Sequence, residues 1–279
     1  MELIVVDNAS SDGTLERIRG RVDTHVIANP SNRGFAAAVN QGAWSTEAGF
    51  VLLMNPDTRL LTSVDGIVDA ARQHGLAAGK LVDDNGRAQA GFTIRRFPTP
   101  AALIFETLGI NRLWPSNPVN RRYRYLDRDL DQPGSVEQPA GAFLMTRRDV
   151  WERLGGMDED FHPIWFEDVD LCLRAAAAGY QIEYVPAVRA AHHGGHSVDQ
   201  VPAGCRAHYW CVSLLRYAAK HFPPSGYWGV CSAVVLSSVP RMVAGMILER
   251  SFTPVVTYSK IVRFAVLCLV ARGRSAGAA

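Results

Sequence analysis

The chain has 279 residues, 48% hydrophobic and 20% charged, enough to bury one large core and unlike a disordered segment. Its 29 Lys and Arg against 27 Asp and Glu leave a formal charge of +2, which excludes a general nucleic-acid binder but not a local basic patch. Five cysteines with no C-x-x-C pair argue against a disulfide scaffold and fit a reducing cytosol, and the first residues carry no basic region leading into a long apolar run, so no signal peptide is expected.

Leu3 to Val6 is an apolar run, β-branched at three of four positions, that stops at Asp7-Asn8-Ala9-Ser10-Ser11-Asp12-Gly13. It reads as a buried strand opening into a polar loop. Thr14 to Arg21 has helical character, and His25 to Ala28 reads as a second strand ended by Asn29-Pro30. Ser31 can cap the next element, an Ala-rich helix from Gly34 to Trp44. Phe50 to Met54 is a third strand, ended by Asn55-Pro56-Asp57. Strand, helix, strand, helix, strand in under 60 residues predicts an α/β fold with a parallel sheet.

Residues 83–86 are a turn signal, and residues 95–135, rich in Arg, Pro, Asn and Tyr, read as a long connection over the active face. Ala142 to Met145 reads as a strand, Arg148 to Leu154 as a helix stopped by Gly155-Gly156, Glu167 to Ala178 as a strong helix, and Ile182 to Val185 as a strand. After Pro202 the composition shifts. Tyr227 to Leu248 carries one charge, Arg241, beside Pro240; Pro254 to Ala271 is again apolar, with Lys260, Arg263 and Arg272 spaced along it. Two readings stand: an amphipathic pair at a membrane surface with basic side chains toward lipid phosphates, or a buried helical hairpin.

Three polar clusters follow or flank these elements: Asp7-Asn8, Asn55-Pro56-Asp57 and Glu167-Asp168-Val169-Asp170. In a parallel sheet ligands gather at the carboxyl ends of strands, so clusters distant in sequence converge there. Carboxylates at such ends suit magnesium or manganese beside a diphosphate, although a single Asp after a strand is more often a turn or helix cap. The three acids of residues 167–170 complement a helix N-terminus, and their aromatic flank Trp165-Phe166 also suits a partly desolvated general base. His192-His193-Gly194-Gly195-His196-Ser197 suggests metal or phosphate contact. Zinc on Cys205, His208 and Cys211 is a weaker reading, since that spacing matches no common structural site. Dinucleotide, P-loop and serine-hydrolase motifs are absent.

Val5-Val6-Asp7-Asn8-Ala9-Ser10-Ser11-Asp12-Gly13-Thr14 resembles the second-strand motif of glycosyltransferase family 2. Asn32-Arg33-Gly34-Phe35-Ala36 to Asn40 and Asn55-Pro56-Asp57 resemble later segments of its rhamnosyltransferase-like branch. Gly141-Ala142-Phe143-Leu144, Gly155 to Phe161, Glu167 to Arg174, Gly179-Tyr180 and His192 to Ser197 continue the series in order, over residues 3 to about 220.

The resemblance implies a GT-A fold, a mostly parallel central sheet flanked by helices, over residues 1–222, then an apolar helical tail, 223–279, at a membrane. It implies a nucleotide-diphospho-sugar donor (dTDP- or UDP-sugar), Mg2+ or Mn2+, and inversion at the anomeric carbon. Asp57 and His192 would hold the metal, and Asp168 would be the base, with Glu167 and Asp170 supporting it or orienting the acceptor. Asp7, Asn8, Asn32, Gly34, Asn40 and Asn55 would lie along the donor. The expected reaction moves a sugar such as L-rhamnose to a lipid-linked or cell-surface glycan, in the cytoplasm at the inner face of the plasma membrane. Two departures stand out: Asn55 occupies a position where many relatives carry Asp, and the sequence opens at what would be the family's second strand, so that either residues upstream of this start are missing from it or the protein lacks part of its donor pocket. A sugar-nucleotide or glycan-binding relative without turnover is the alternative.

Overall fold

The computed structural model describes residues 1–276, without the side chains of residues 196, 197 and 271–276, so those of His196, Ser197 and Arg272 lie outside the described residues. The opening apolar run becomes β1 (Leu3–Asp7). After α1 (Thr14–Ile18) it pairs in parallel with β2 (Thr24–Ala28), Leu3 opposite Thr24 and Asp7 opposite Ala28. The chain continues through α2 (Phe35–Trp44), β3 (Phe50–Met54), β4 (Thr58–Leu60), α3 (Asp65–His74) and β5 (Gly75–Val82). Then come β6 (Ile94–Arg95), α4 (Pro100–Thr107), α5 (Ile110–Leu113), α6 (Pro118–Tyr123), β7 (Gly134–Val136), β8 (Gln138–Pro139) and β9 (Phe143–Arg147). Next are α7 (Arg148–Leu154), α8 (Glu167–Ala177), β10 (Gln181–His192), α9 (His196–Asp199), α10 (Ala203–His221), α11 (Pro224–Glu249) and α12 (Thr253–Ala276).

A six-stranded sheet runs in the order β3-β9-β5-β10-β4, with β7 also on β10. It is mixed. β5 and β10 are parallel, as are β1 and β2 in their own two-stranded sheet, whereas β9 lies antiparallel to both β3 and β5, and β10 to both β4 and β7. The mostly parallel sheet expected from the opening strands therefore gives way where β9 inserts between β3 and β5. β10 is far longer than the four residues its apolar centre suggests, and it bulges between Val185 and Arg189, where Pro186 has no N–H to give a ladder.

The core lies between this sheet and α3: Ile67 and Ala71 meet Ala77 and Leu81 of β5, Phe143 and Met145 of β9, and Val188 and Ala190 of β10. Burying a ring such as that of Phe143 is worth roughly 2–3 kcal/mol. β5 escapes the sequence pattern because its centre is Ala77-Ala78-Gly79-Lys80. A Cβ at Gly79 would stand 2.3 Å from Phe143 Cε1 and 2.6 Å from the Val188 carbonyl oxygen, so only Gly lets β9 and β10 close over it.

The structure falls into two compact units, residues 1–95 with 129–194, and residues 96–128 with the chain from Gly195 on. This division differs from a boundary at 222, and residues 96–128 are not a plain connection. Thr99 Oγ1 accepts from the Ala102 N–H and Asn117 Oδ1 from the Asn120 N–H, each one residue before a proline, so both α4 and α6 begin on a capped, proline-led turn.

In the second unit α4 packs on α11, and α11 packs on α12. The Arg241 guanidinium donates to the Thr107 carbonyl at 2.7 Å, so the one basic side chain of α11 is spent inside the unit. The first half of α11 is buried through Val230, Cys231 and Val234, while Leu236, Val239, Val243, Ile247 and Leu248, and beyond them Phe252 and Val256, are exposed. Pro224–Glu249 and Thr253–Val270 are long and apolar enough to cross a membrane. The tail is a packed helical hairpin with an apolar outer face.

Candidate active site

Two backbone groups of one corner organise the site in the first unit. The corner, residues 140–142, leads into β9. Its Ala142 carbonyl accepts from the Asn55 N–H at 3.3 Å, fixing the Asn55-Pro56-Asp57 turn at the end of β3. Its Gly141 N–H donates to Asp168 Oδ2 at 2.9 Å, at the start of α8. Adjacent residues, Gly141 and Ala142, therefore hold two sequence-predicted clusters more than a hundred residues apart. A Cβ at Gly141 would come within 3.0 Å of the Asp168 Cβ, which explains the glycine.

Asp168 is partly exposed, and its other oxygen accepts from the Val169 N–H at 2.8 Å. Burial of the carboxyl pushes its pKa above the ordinary 3.8, against the two backbone donors and the nearby Arg95, which pull it down. Glu167, 4% exposed, has an Oε2 with no hydrogen-bond partner, and burial, with the Asp168 charge second, raises its pKa well above 4.5. The approach to this helix is strained: Trp165 and Phe166 have φ of 80° and 72°, in the region that side chains disfavour.

Asp170 is different. It is fully buried and accepts from Arg174 Nε at 2.7 Å, while Arg174 also donates to the Leu154 and Gly156 carbonyls. Arg174 thereby ties α8 to the end of α7, and the Asp170 carboxylate holds Arg174 in place.

β10 pairs with β4, His192 opposite Thr58, which sets His192 beside Asp57. His192 Nε2 stands 3.5 Å from Asp57 Oδ1, an oxygen with no hydrogen-bond partner, and both side chains are largely buried. Burial holds the imidazole below its ordinary 6.5, against the Asp57 charge that would raise it. An oxygen and a nitrogen donor so placed fit a divalent cation, and no group of three His, Cys, Asp or Glu side chains with metal-site geometry occurs among the described residues. The pair supplies two donor atoms, one oxygen and one nitrogen. His193 points elsewhere, to Asp84 Oδ2 at 2.9 Å. The zinc reading fails: Cys205 is exposed and Cys211 buried on one helix, and no three-ligand group forms there among the described residues.

The residues expected along the donor divide. Asp7 is buried with Oδ2 accepting from the Ser10 N–H and Oδ1 without a partner, so it has an oxygen to offer. Asn8 and Asn32 are spent on the loop: Asn8 Nδ2 donates to Asn32 Oδ1 and to the Gly34 carbonyl, and Asn8 Oδ1 accepts from Arg33 N–H and Asn29 Nδ2. Gly34 has φ 87°, and a Cβ there would meet His162 Cδ2 at 2.8 Å, so its role is close approach to the 162–163 loop, sealed by the Phe35 N–H to the Pro163 carbonyl at 2.7 Å. Asn40, buried, bonds Met157 through both ends of its amide and Glu159 besides, latching α2 to the loop before α8. Gln89 and Phe92, which touch His192, are not singled out by the sequence, because a lone amide after an irregular turn carries no motif.

The family model for glycosyl transferase family 2 matches residues 1–155, more than half of the chain. The chain belongs to glycosyltransferase family 2. A second model, glycosyltransferase like family 2, matches residues 111–210. The N-acetylglucosaminyl-diphospho-decaprenol L-rhamnosyltransferase of Mycobacterium tuberculosis is 29% identical over 244 residues, 82% of this chain and 77% of that protein. Rhamnosyltransferase WbbL of Escherichia coli is 28% identical over 178 residues, 61% of this chain and 62% of its own. The solved mannosyltransferase PcManGT of Pyrobaculum calidifontis, in complex with GDP-Man and Mn2+, aligns over 96% of this chain and 76% of its own at 15% identity and a TM-score of 0.47. GalNAc-T7 with UDP, GalNAc and Mn2+ aligns over 78% of this chain and 44% of its own at 14% identity and a TM-score of 0.49. The class of chemistry of this family 2 chain is glycosyl transfer.

Proposed function

We propose that the chain is an inverting glycosyltransferase that moves a sugar, L-rhamnose from dTDP-rhamnose in the first instance, to a hydroxyl of a lipid-linked glycan. The observation that carries this reading is the shared corner, which ties the turn of Asp57, the partner of His192, to the Asp168 carboxylate. The decaprenol-linked substrate in the name of the mycobacterial relative and the exposed apolar face of α11 and α12 support a lipid-linked acceptor at a membrane surface.

A divalent cation, Mg2+ or Mn2+, held by Asp57 and His192 would neutralise charge on the leaving diphosphate. Asp168 takes the proton of the acceptor hydroxyl, an alcohol too weakly acidic to attack unaided at neutral pH. Its two backbone N–H donors fix the carboxylate in one orientation, and its raised pKa makes it a stronger base than a free Asp while it remains ionised. Asp7, with a free buried oxygen, contacts the nucleoside. Asn8, Asn32 and Asn40 hold the surrounding loops, and Asn55 supplies its backbone to the corner. Attack from the base side with departure toward the metal side is one displacement, hence inversion. The enzyme would work on the cytoplasmic face, where nucleotide sugars are made.

Nucleoside-diphosphate release from a panel of donors, with Mg2+, Mn2+ or chelator, tests the proposal. Asp168→Asn should lower turnover by about 10²–10⁴-fold while donor binding is retained. Normal turnover in that variant removes Asp168 as the base, and turnover that survives chelation removes the metal.

A further inference from the structure

Gln89 lies in the turn after β5, its backbone held by its own N–H to the Leu81 carbonyl at 3.0 Å and by the Phe92 and Thr93 N–H groups on its carbonyl. Its side chain grips His192 twice. Gln89 Nε2 donates to the His192 carbonyl oxygen at 2.7 Å, and Gln89 Oε1 stands 3.0 Å from His192 Nδ1. The orientation of the amide is decided by chemistry: turned over, it would set two acceptor oxygens against each other at 2.7 Å. Oε1 can only accept, so Nδ1 carries the proton. In the neutral ring the other nitrogen, Nε2, is then bare, and its lone pair is on the side of Asp57 Oδ1, 3.5 Å away. Phe92 lies flat on the imidazole, centroids 5.0 Å apart and planes within 5°, which fixes the ring plane. Two lone-pair donors face each other, a juxtaposition that only an electropositive group between or beside them relieves.

We infer that Gln89 is a positioning residue: it locks His192 in the Nδ1–H tautomer and so presents Nε2 as a ready metal ligand. The inference rests on the reading of Asp57 and His192 as the metal pair. Residues that orient a ligating histidine in this way commonly change metal affinity by about 10–100-fold when replaced.

The test has two readouts that fail separately. In protein labelled with 15N-histidine and free of metal, long-range 1H–15N correlation spectra at neutral pH report which nitrogen of His192 is protonated, with His192→Ala used to assign the signal. The wild type should show Nδ1–H, and Gln89→Leu should shift His192 toward Nε2–H. A wild-type Nε2–H tautomer, or an unchanged tautomer in Gln89→Leu, overturns the role of Gln89; the wild-type spectrum alone decides even where the variant does not fold. Mn2+ affinity in the presence of dTDP, monitored by loss of the free-ion paramagnetic resonance signal, should fall about 10–100-fold in Gln89→Leu and at least as far in His192→Ala. Unchanged affinity in Gln89→Leu while His192→Ala loses it overturns the inference. Unchanged affinity in His192→Ala overturns the metal reading itself, with the tautomer still judging Gln89.

Discussion

Replacing Glu167 by Gln should change how stability depends on pH. The carboxyl is 4% exposed, Oε2 has no partner, and burial with the neighbouring Asp168 charge raises its pKa well above 4.5. The folded protein therefore holds this proton more tightly than the unfolded chain. Between the unfolded value near 4.5 and the folded value, the native state binds more protons, so stability falls as pH rises, by up to about 1.4 kcal/mol per pH unit. Gln keeps the shape and removes the titration. Its amide also meets a site with an unpartnered atom, at a cost of about 1–3 kcal/mol that does not vary with pH, so the slope and not the level is diagnostic. Urea unfolding of both proteins from about pH 4 to pH 8, expressed as the wild-type minus Gln difference, should show the wild type losing ground as pH rises above the unfolded value near 4.5. Parallel curves would refute the reasoning and mean that Glu167 is ionised and solvated in the native state.

Asp57→Ala should weaken dTDP binding in Mn2+ and leave it little changed in chelator, measured by calorimetry; equal losses in both would make Asp57 structural. The acid limb of the kcat/KM profile should lie above the ordinary Asp range, since lowering pH through the raised Asp168 pKa protonates the proposed base. Asp170→Asn should cost about 3 kcal/mol in urea unfolding, because the charge of Arg174 stays while its buried partner is neutralised. Replacing Ile247, Leu248 and Phe252 together by Ser should reduce flotation with anionic liposomes by about 10³-fold, at roughly 1.5 kcal/mol per side chain, with the first unit still folded.

The opening strands, the Asn55-Pro56-Asp57 turn, the acid helix and His192 are all legible in the sequence because each is a short motif with local physics: an apolar run, a polar stop, a charged helix start. β5 is not, since Gly79 and its alanines are chosen by the ring that crosses them, Phe143 on a strand far along the chain. α4 and α6 carry readable signals, Thr99-Pro100 and Asn117-Pro118, hidden in a stretch whose arginines and tyrosines suggest a loop. Among the asparagines, residue type announces polarity but not direction. Asn8 and Asn40 turn inward to hold backbone, as their bonding shows only in three dimensions. Gln89 has the least sequence signal and the most specific contact.

The corner at residues 141–142 has a mechanical consequence. The Ala142 carbonyl holds the turn that carries Asp57, and the Gly141 N–H holds the carboxylate of Asp168. A displacement of β9 moves both together, as a ruler carries its two end marks. The spacing between the Asp57 turn and the Asp168 carboxylate is thereby insulated from breathing of the sheet, and slow exchange of the Gly141 and Asn55 amides would be its visible trace.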